Sequence, residues 1–184
     1  WQEVSWGEGL AAAADILRAH KGDDLGVLVH PATSNEEGTL LARLAAELGS
    51  GNLDHRIGLR DFSDAAVAEA FALPLAEIEK AGAIVVFGSN IRHELPLLHQ
   101  RIRKAVRKGA KVFVVNPVDF EFTFSAAGKR IVAPSAMAEA LAEAGLREAV
   151  SAAGNAVLLV GGIAENHPQA SALRAAARDF AAAT

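Results

Sequence analysis

The sequence predicts an α/β fold, a Rossmann-like three-layer sandwich in which a mostly parallel sheet is covered by helices on both faces. Two near-continuous apolar runs, Ala83–Phe87 and 111–115, are typical of strands that are buried on both faces. A helix predicted from Pro96 to about Lys108 lies between them and supplies the crossover that neighbouring parallel strands need. The same order of apolar strand, glycine, polar loop and proline-started helix recurs over 155–184, which indicates at least four parallel strands.

The composition is that of an ordinary globular protein and excludes several kinds of site. Of the 184 residues, 51% are hydrophobic and 22% are charged, which does not fit a disordered chain. The absence of cysteine excludes disulfides, thiolate zinc sites, cysteine-held iron–sulfur clusters and a cysteine nucleophile from this chain. The net charge of −4 gives no general reason to expect nucleic-acid binding. No apolar run approaches the roughly 18 residues of a membrane helix. Because the chain starts at Trp1 without a methionine or a signal pattern, we expect residues 1–184 to be an internal piece of a longer polypeptide.

In the amino-terminal part, two serines that are each followed by a glutamate three residues later predict the starts of helices. These capping boxes are Ser5 with Glu8 and Ser34 with Glu37. The first helix is expected to run to about His20 and the second to Gly49, with a strand at 25–30 between them. Apolar residues at helical spacing predict the buried stripe of the second helix. The stripe comprises Leu40, Leu41, Leu44, Ala45 and Leu48.

The middle of the chain is less regular. The polar segment 52–62 has two interpretations, an ordinary surface loop or a loop that lines a pocket. A short helix is predicted over 63–71, ahead of the segment 74–82. After the strand at 111–115, four phenylalanines are expected in a core or a buried interface rather than on a nucleic-acid stacking platform, because the neighbouring charges are acidic. They are Phe113, Phe120, Phe122 and Phe124.

The carboxyl-terminal elements complete the α/β pattern. A short strand is predicted at 130–133, followed by a helix from 134–135 to about Ala144 and a further helical turn to Ala153. A last helix is predicted to begin at Pro168. One division of the chain that fits this order is into two lobes, about 1–128 and 129–184.

The loop after the strand Ala83–Phe87 is the candidate ligand site. In open α/β sheets, ligands gather outside the carboxyl ends of the strands, and Gly88, Ser89 and Asn90 lie at such an end. These residues have two interpretations: donors that bind a phosphate, or a glycine turn that ends a strand. The glycines at 161–162 have the same two interpretations. Since the chain contains neither GxGxxG nor GxxxxGK[ST], the phosphate interpretation depends on position alone.

No catalytic residue and no metal ligand is predicted. The six histidines are scattered and are interpreted as surface or capping residues; His93 and His99 lack the i, i+4 spacing of two ligands on one helix face. The chain has no GxSxG elbow for a nucleophilic serine. A basic segment has two interpretations, a solvated helix end or a docking face for an acidic partner or an anionic group. It comprises Arg101, Arg103, Lys104, Arg107, Lys108 and Lys111.

Three stretches, in this order along the chain, resemble the molybdopterin oxidoreductase superfamily. They are VSWGEGL at 4–10, the helix that opens with SNEE at 34–37 and ends in LGSGNLDH at 48–55, and GSNIRHELP at 88–96 with Arg101 and Arg103 after it. The similarity is best to the non-catalytic branch of that superfamily, the large iron–sulfur (G) subunit of NADH-quinone oxidoreductase, respiratory complex I. The resemblance implies an α/β sandwich of the kind found in pterin-binding relatives.

One departure separates the chain from the catalytic relatives. The resemblance implies that these relatives carry a cysteine or selenocysteine as metal ligand in the loop after Asn-x-Asp-His, where this chain has Arg60 near the ligand position. An arginine has no free lone pair with which to bind molybdenum. Asp61 is a ligand type that other relatives use, but the register disfavours it. The resemblance therefore implies a vestigial pocket. Its candidate residues are Gly88, Ser89, Asn90, Asn116 and Arg60.

The first hypothesis is a non-catalytic structural domain of the complex I G subunit, whose parent enzyme passes electrons from NADH to quinone. The resemblance implies that this part binds no cofactor and that the iron–sulfur clusters lie in the amino-terminal part of the parent. The expected partners are the rest of its own subunit and other peripheral-arm subunits, with no nucleic acid and no direct membrane insertion. The expected location is the cytoplasmic side of the bacterial inner membrane.

Two alternatives belong to other functional classes. One is a fragment of a working molybdenum or tungsten oxidoreductase, which would grip a pterin guanine dinucleotide through Gly88, Ser89, Asn90 and Asn116. The other is a free-standing nucleotide-binding α/β domain. The absence of cysteine and the presence of Arg60 favour the structural domain over the molybdenum enzyme.

Overall fold

The computed structural model describes residues 2–30, 32–55, 58, 60–65 and 73–184. The contacts between residues divide the chain into two compact units, Trp1–Gly58 and Leu59–Thr184. The two-lobe prediction placed a boundary elsewhere, near residue 128, which is the first residue of a strand that pairs within a single sheet. Residues on both sides of position 128 therefore belong to the second unit.

The first unit contains two helices and a pair of very short strands. The helices α1 (Trp6–Ala19) and α2 (Asn35–Glu47) begin at the two predicted capping boxes, both of which are confirmed. A 3₁₀ helix at Gly22–Asp24 follows α1. The strand β1 (Val27–Leu28) pairs in parallel with β2 (Leu53–Asp54), so the longer predicted strand is confirmed only over its two central residues.

The predicted buried stripe of α2 is wrong in part. Ala45 is buried, whereas Leu40 is 63% and Leu44 is 42% exposed. The physical reason is the length of β1 and β2, because a sheet of two-residue strands offers little apolar surface for a helix to cover. Among the described residues of this unit, Ala45 is the buried hydrophobic residue.

The second unit is built on a four-stranded sheet. The strands are β3 (Ala83–Phe87), β4 (Lys111–Asn116), β5 (Gly128–Ile131) and β6 (Ala156–Val160). Their spatial order is β5-β4-β3-β6, and each neighbouring pair is parallel. The central strand β3 is buried along its whole length. The prediction of at least four parallel strands is therefore confirmed.

Helices cover both faces of this sheet. They are α3 (Ile91–Glu94), α4 (Pro96–Arg107), α5 (Met137–Ala142), α6 (Ala144–Ser151), α7 (Gly162–Glu165) and α8 (Ala170–Ala183), with 3₁₀ helices at Leu75–Lys80 and Pro134–Ala136. Alternate residues of β3 enter two separate cores. Val85 and Phe87 pack with residues of α5, α6 and α8, whereas Ile84 and Val86 pack with α4 and the first of these 3₁₀ helices. This arrangement confirms the predicted three-layer α/β sandwich. In the part of the chain that the structure describes, none of the helices has the length and hydropathy needed to cross a bilayer.

Several local predictions differ from the structure. The loop predicted between β3 and α4 contains the one-turn helix α3. The helix predicted from 134–135 to about Ala144 ends at Ala142, and the further helical turn predicted to Ala153 is found as α6. The break between them falls at Glu143, whose carboxylate accepts a hydrogen bond from Arg130 Nε. The last helix begins at Ala170 rather than at Pro168. Most of the helix predicted over 63–71 falls outside the described residues.

The interpretation of the histidines as surface or capping residues is wrong for His99. This side chain is only 2% exposed, and its ring centroid lies 5.0 Å from that of Phe124. Phe124 in turn stacks on Phe122, at 5.3 Å between ring centroids, and both phenylalanines pack against the core as predicted. Burial lowers the pKa of the His99 imidazole, and the positive charges of Arg92 and Arg103 lower it further. His30 and His167 do act as local caps, since Nδ1 of each accepts a hydrogen bond from a backbone N–H two residues later.

Candidate functional site

The candidate site lies at the carboxyl edge of the second unit's sheet. Because β3, β4 and β6 are parallel neighbours, their carboxyl ends meet at one edge. Gly88, Ser89 and Asn90 follow β3, Asn116 ends β4, and Gly162 opens the helix α7 after β6. The fold thus brings together Gly88, Ser89 and Asn90, which were predicted at the end of a strand, and Asn116, which the resemblance implied. We call these residues, together with Glu94, the strand-end site.

Two glycines let the loops of this site approach closely. Gly88 has a positive φ of 60°, and a Cβ there would lie 2.6 Å from the Cβ of Ala164. A Cβ on Gly161 would lie 2.1 Å from the Cβ of Ser89. Since real Cβ contacts do not come this close, both positions need glycine for packing. The glycines therefore have a structural role that requires no ligand.

Ser89 and Asn116 bind each other across the ends of β3 and β4. The Ser89 N–H donates to Asn116 Oδ1 at 2.8 Å, and Asn116 Nδ2 donates to the Ser89 carbonyl at 2.9 Å. Ser89 is 1% exposed and Asn116 is fully buried. This reciprocal pair fixes the loop after β3, and it removes the Ser89 N–H from the donors that an anion could use.

Glu94 occupies the centre of the strand-end site. Its Oε1 accepts a hydrogen bond from the Asn90 N–H at 2.6 Å. Its Oε2 accepts from the Ser89 hydroxyl at 3.0 Å and from the Gly162 N–H at 2.8 Å. The carboxylate therefore takes the same kind of position, above converging N–H and O–H donors, that a phosphate takes in a phosphate-binding loop.

Glu94 was missed as a site residue from the sequence, where it is present only as part of the GSNIRHELP stretch at 88–96. One local signal was available, since an acidic residue in the first turn of a helix can bind the backbone N–H groups that begin it. That signal predicts the contact with Asn90. The contact with Gly162, which lies 68 residues away along the chain, could be found only once the fold was known.

Arg60 is connected to the strand-end site through an intermediate residue, Asn166. Its Nε donates to Asn166 Oδ1 at 2.9 Å, and Asn166 Nδ2 donates to the Gly162 carbonyl at 2.6 Å. The predicted fifth candidate is therefore linked to the strand-end site through α7. No hydrogen bond joins it directly to Ser89 or Asn90 among the described residues.

Asp61, the other residue considered near the ligand position, is engaged on both oxygens. Oδ1 accepts from the N–H and the hydroxyl of Ser63 at 3.0 and 2.7 Å. Oδ2 accepts from the N–H and the hydroxyl of Ser171 at the start of α8. The hydrogen bond from the Ser171 hydroxyl, helped by those from Ser63, holds the pKa of Asp61 well below its usual range. The carboxylate is stabilised as a structural anion.

An arginine of α8 fastens the same segment. Arg174 donates to Asp64 Oδ1 and to the carbonyl of Asp61, both at 2.7 Å, and to Glu165 Oε2 at 2.9 Å. Its side chain is 12% exposed, and the hydrogen bonding that the guanidinium donates to Asp64 is the main cause that raises its pKa. Segment 60–65 is therefore held to α7 and α8 by charged hydrogen bonds. Across the described residues, no group of three or more His, Asp or Glu side chains is arranged to hold a metal ion.

The family model for molybdopterin oxidoreductases matches residues 1–184 of this chain. The chain belongs to the molybdopterin oxidoreductase family. This membership agrees with the superfamily resemblance that the sequence carries.

The curated relatives of this molybdopterin oxidoreductase domain include two kinds of enzyme subunit. The chain is 30% identical over 122 residues to the F420-dependent formate dehydrogenase subunit alpha of Methanocaldococcus jannaschii, which covers 62% of the chain. It is 29% identical over 111 residues, or 59% of the chain, to the G subunit of the NADH-quinone oxidoreductase of Rickettsia felis. It is 27% identical over 125 residues, or 66% of the chain, to the mitochondrial NADH dehydrogenase iron-sulfur protein 1 of Solanum tuberosum. The matches span 18%, 16% and 17% of these relatives, which is less than a fifth of their length.

The strand-end site of this molybdopterin oxidoreductase domain does not fit the phosphate groups of a pterin dinucleotide. The donors of Asn90, Ser89 and Gly162 are bound by Glu94. A phosphate brought to them would meet a carboxylate of like charge, which is unfavourable at hydrogen-bond distance. Arg60 likewise offers no lone pair to a metal.

Proposed function

We propose that this chain is a non-catalytic structural domain of the large iron–sulfur (G) subunit of a complex I-type NADH-quinone oxidoreductase. The parent would transfer electrons from NADH to quinone, coupled to proton translocation, with its iron–sulfur clusters in an amino-terminal part. This domain would bind no cofactor. It would contact the rest of its own subunit and other peripheral-arm subunits on the cytoplasmic side of the bacterial inner membrane.

The observation that carries the proposal is the position of the Glu94 carboxylate. It accepts hydrogen bonds from three donors at the carboxyl ends of β3 and β6, with lengths of 2.6 to 3.0 Å. A domain that grips a dinucleotide needs these donors for the ligand, whereas a structural domain is better served by satisfying them internally. The likeness to the G subunit of the Rickettsia felis NADH-quinone oxidoreductase and to the potato iron-sulfur protein supports the same parent.

The second candidate function is a pterin-binding part of a molybdenum or tungsten oxidoreductase. The likeness to F420-dependent formate dehydrogenase subunit alpha, at 30% identity, favours this class. In that case Glu94 would have to leave the strand-end donors before the cofactor binds. Arg60 and the fully engaged Asp61 carboxylate weigh against it, because neither supplies a metal ligand.

Metal and pterin analysis of the intact parent polypeptide separates the two functions. We expect no stoichiometric molybdenum or tungsten and no pterin fluorescence after denaturation, together with NADH-quinone oxidoreductase activity in the assembly that contains the parent. Stoichiometric metal with pterin would refute the structural domain and establish the second function. Calorimetric titration of the parent with guanosine and adenosine nucleotides tests a free-standing nucleotide-binding domain, and saturable heat that is lost on mutating Asn116 would favour that function instead.

A further inference from the structure

Positive charge is concentrated on and just after one helix, α4. The segment 101–111 contains six arginines and lysines and no acidic residue. Removing these six charges from a net charge of −4 leaves −10 on the rest of the chain. The segment is therefore a local basic surface on an acidic protein.

The packing of α4 fixes which way these charges point. Leu98, Ile102 and Ala105 are at most 8% exposed and belong to the core with β3 and β4. Residues of the opposite half of the helix are consequently directed to solvent. We call that half the α4 outer face. It comprises Leu97, Arg101, Arg103, Lys104, Arg107 and Lys108.

A single carboxylate meets three of these cations. The carboxylate of Glu79, near the end of the 3₁₀ helix Leu75–Lys80, lies 2.8 Å from the guanidinium of Arg101. It lies 3.4 and 3.5 Å from the ammonium groups of Lys104 and Lys108. Partial burial by itself would raise the pKa of Glu79, but the two lysines outweigh this and lower it. One negative charge shared among three positive ones leaves an excess of positive charge on the face.

The other two arginines carry that excess. Arg103 and Arg107 are exposed and are one turn apart, and no carboxylate of the described residues lies within 4 Å of either. Like charges at i, i+4 repel each other on a helix. Arg92 adds to this field, since it and Arg103 both act on His99. The described residues therefore leave this repulsive arrangement without a compensating carboxylate.

An apolar residue lies among these charges. Leu97 is 83% exposed and lies one turn before Arg101 and two turns before Lys104 on the same face. Protein interfaces typically combine an apolar anchor with arginines, and arginine and aromatic anchors dominate their binding energy. We propose that the α4 outer face is a docking surface for a carboxylate-rich surface of another protein segment. This inference is independent of the proposed function, since it holds for either kind of parent.

A protein surface fits this face better than a phosphate polymer or a membrane. Glu79 shows that carboxylates bind here in salt-bridge geometry. Bases would need exposed aromatic rings on which to stack, but Phe122 and Phe124 stack on each other and lie against the core. A single leucine provides too little apolar surface for an interfacial helix.

Zero-length carbodiimide cross-linking of the intact parent assembly, read by mass spectrometry, tests the proposal. We expect amide bonds from Lys104 or Lys108 to aspartates or glutamates outside residues 1–184, and a yield that falls as salt rises. The double variant Arg103→Glu/Arg107→Glu should lower that yield at least fivefold. A double variant in the first unit, Arg18→Glu/Arg43→Glu, makes the same change in net charge at other exposed positions and should leave the yield unchanged.

Three outcomes would overturn the proposal. The first is cross-linking of these lysines to Glu79 alone. The second is a yield of cross-links to residues outside 1–184 that is as high in the Arg103→Glu/Arg107→Glu variant as in the Arg18→Glu/Arg43→Glu control. The third is binding of the parent to duplex RNA, or to vesicles of one part phosphatidylglycerol to three parts phosphatidylcholine, that the Arg103/Arg107 variant abolishes while external cross-links are absent. An unchanged circular dichroism spectrum of each variant shows that the loss comes from the surface and not from unfolding.

Discussion

The Glu94→Ala substitution is the most direct test of a closed strand-end site. It removes the acceptor of three hydrogen bonds, from the Asn90 N–H, the Ser89 hydroxyl and the Gly162 N–H. A buried donor left without an acceptor costs about 1–3 kcal/mol. Glu94 is exposed, and the serine hydroxyl can rotate to another acceptor, so water offsets part of this cost. We therefore expect the loops of the site to lose about 2 kcal/mol of local stability, near the middle of the range for one such donor.

Native-state hydrogen exchange of the intact parent measures this loss where it occurs. A change of 1–2 kcal/mol corresponds to a factor of about 5–30 in an equilibrium constant. Peptides that contain the amides of Asn90 and Gly162 should thus exchange up to about 30-fold faster in the variant. The amide of Ser89 should change less, because Asn116 remains its acceptor.

Two comparison variants sharpen the result. Glu94→Gln keeps one acceptor oxygen but turns an amide N–H₂ towards other donors, so its effect should lie between wild type and alanine. Glu121→Ala removes an exposed carboxylate from a loop of the same unit and should leave these amides unchanged. If Glu94→Ala exchanges at the wild-type rate at residues 90 and 162, the carboxylate does not hold these donors in solution. The main support for a structural, ligand-free site would then be lost.

Three further predictions concern the packing and charges of the second unit. Gly161→Ala places a Cβ 2.1 Å from that of Ser89 and should lower the free energy of unfolding, measured by denaturant titration, by about 1–3 kcal/mol. The control Gly145→Ala adds a Cβ with nothing within 4 Å and should be neutral or stabilising. Equal effects of the two variants would contradict the close contact at Gly161. Arg174→Leu removes hydrogen bonds to Asp64, Glu165 and the Asp61 carbonyl. It should lower the free energy of unfolding by at least about 1.5 kcal/mol and increase proteolysis within 60–65. The control Arg178→Leu changes a side chain that is 59% exposed and should have neither effect. The folded-state pKa of His99 lies below that of the unfolded chain, because burial disfavours the charged imidazole. The contribution of the neutral imidazole to the free energy of unfolding is therefore fully present above about pH 6.5 and is lost as pH falls below that value. Replacing His99 with Gln should therefore flatten the fall in stability of β4 amides between about pH 6.5 and 5, and an unchanged slope would refute a buried neutral imidazole.

Much of the fold was predictable because its signals are local. The strands β3 and β4 are continuous apolar runs, and both are found where the sequence places them. Capping boxes depend on two residues that are three positions apart, so Ser5 and Ser34 mark helix starts correctly. The buried face of α2 was not predictable in the same way. Its exposure depends on the length of β1 and β2, which the apolar pattern at 25–30 overestimates.

The candidate site was predictable in position but not in chemistry. The rule for carboxyl ends of parallel strands placed Gly88, Ser89 and Asn90 at this edge of the sheet, and Asn116, which the resemblance implied, ends the neighbouring strand there. The contacts that decide their availability join residues far apart in sequence, such as Glu94 with Gly162 and Arg60 with Asn166. His99 had a weaker local signal, since it adjoins Leu98 and precedes Ile102 by three residues on the buried side of α4.

Packing and internal hydrogen bonds account for Gly88, Gly161 and Asn116 without a ligand. Gly88 and Gly161 are needed because Ala164 and Ser89 leave no room for a Cβ. Asn116 is needed because it satisfies both the N–H and the carbonyl of buried Ser89. Each of these demands arises from bringing the ends of parallel strands together, and it is the same whether or not an anion binds there. A Gly-Ser-Asn turn therefore identifies the edge of the sheet at which a ligand would bind. Whether the N–H donors at that edge are available to a ligand depends on the side chain that accepts their hydrogen bonds, which here is Glu94.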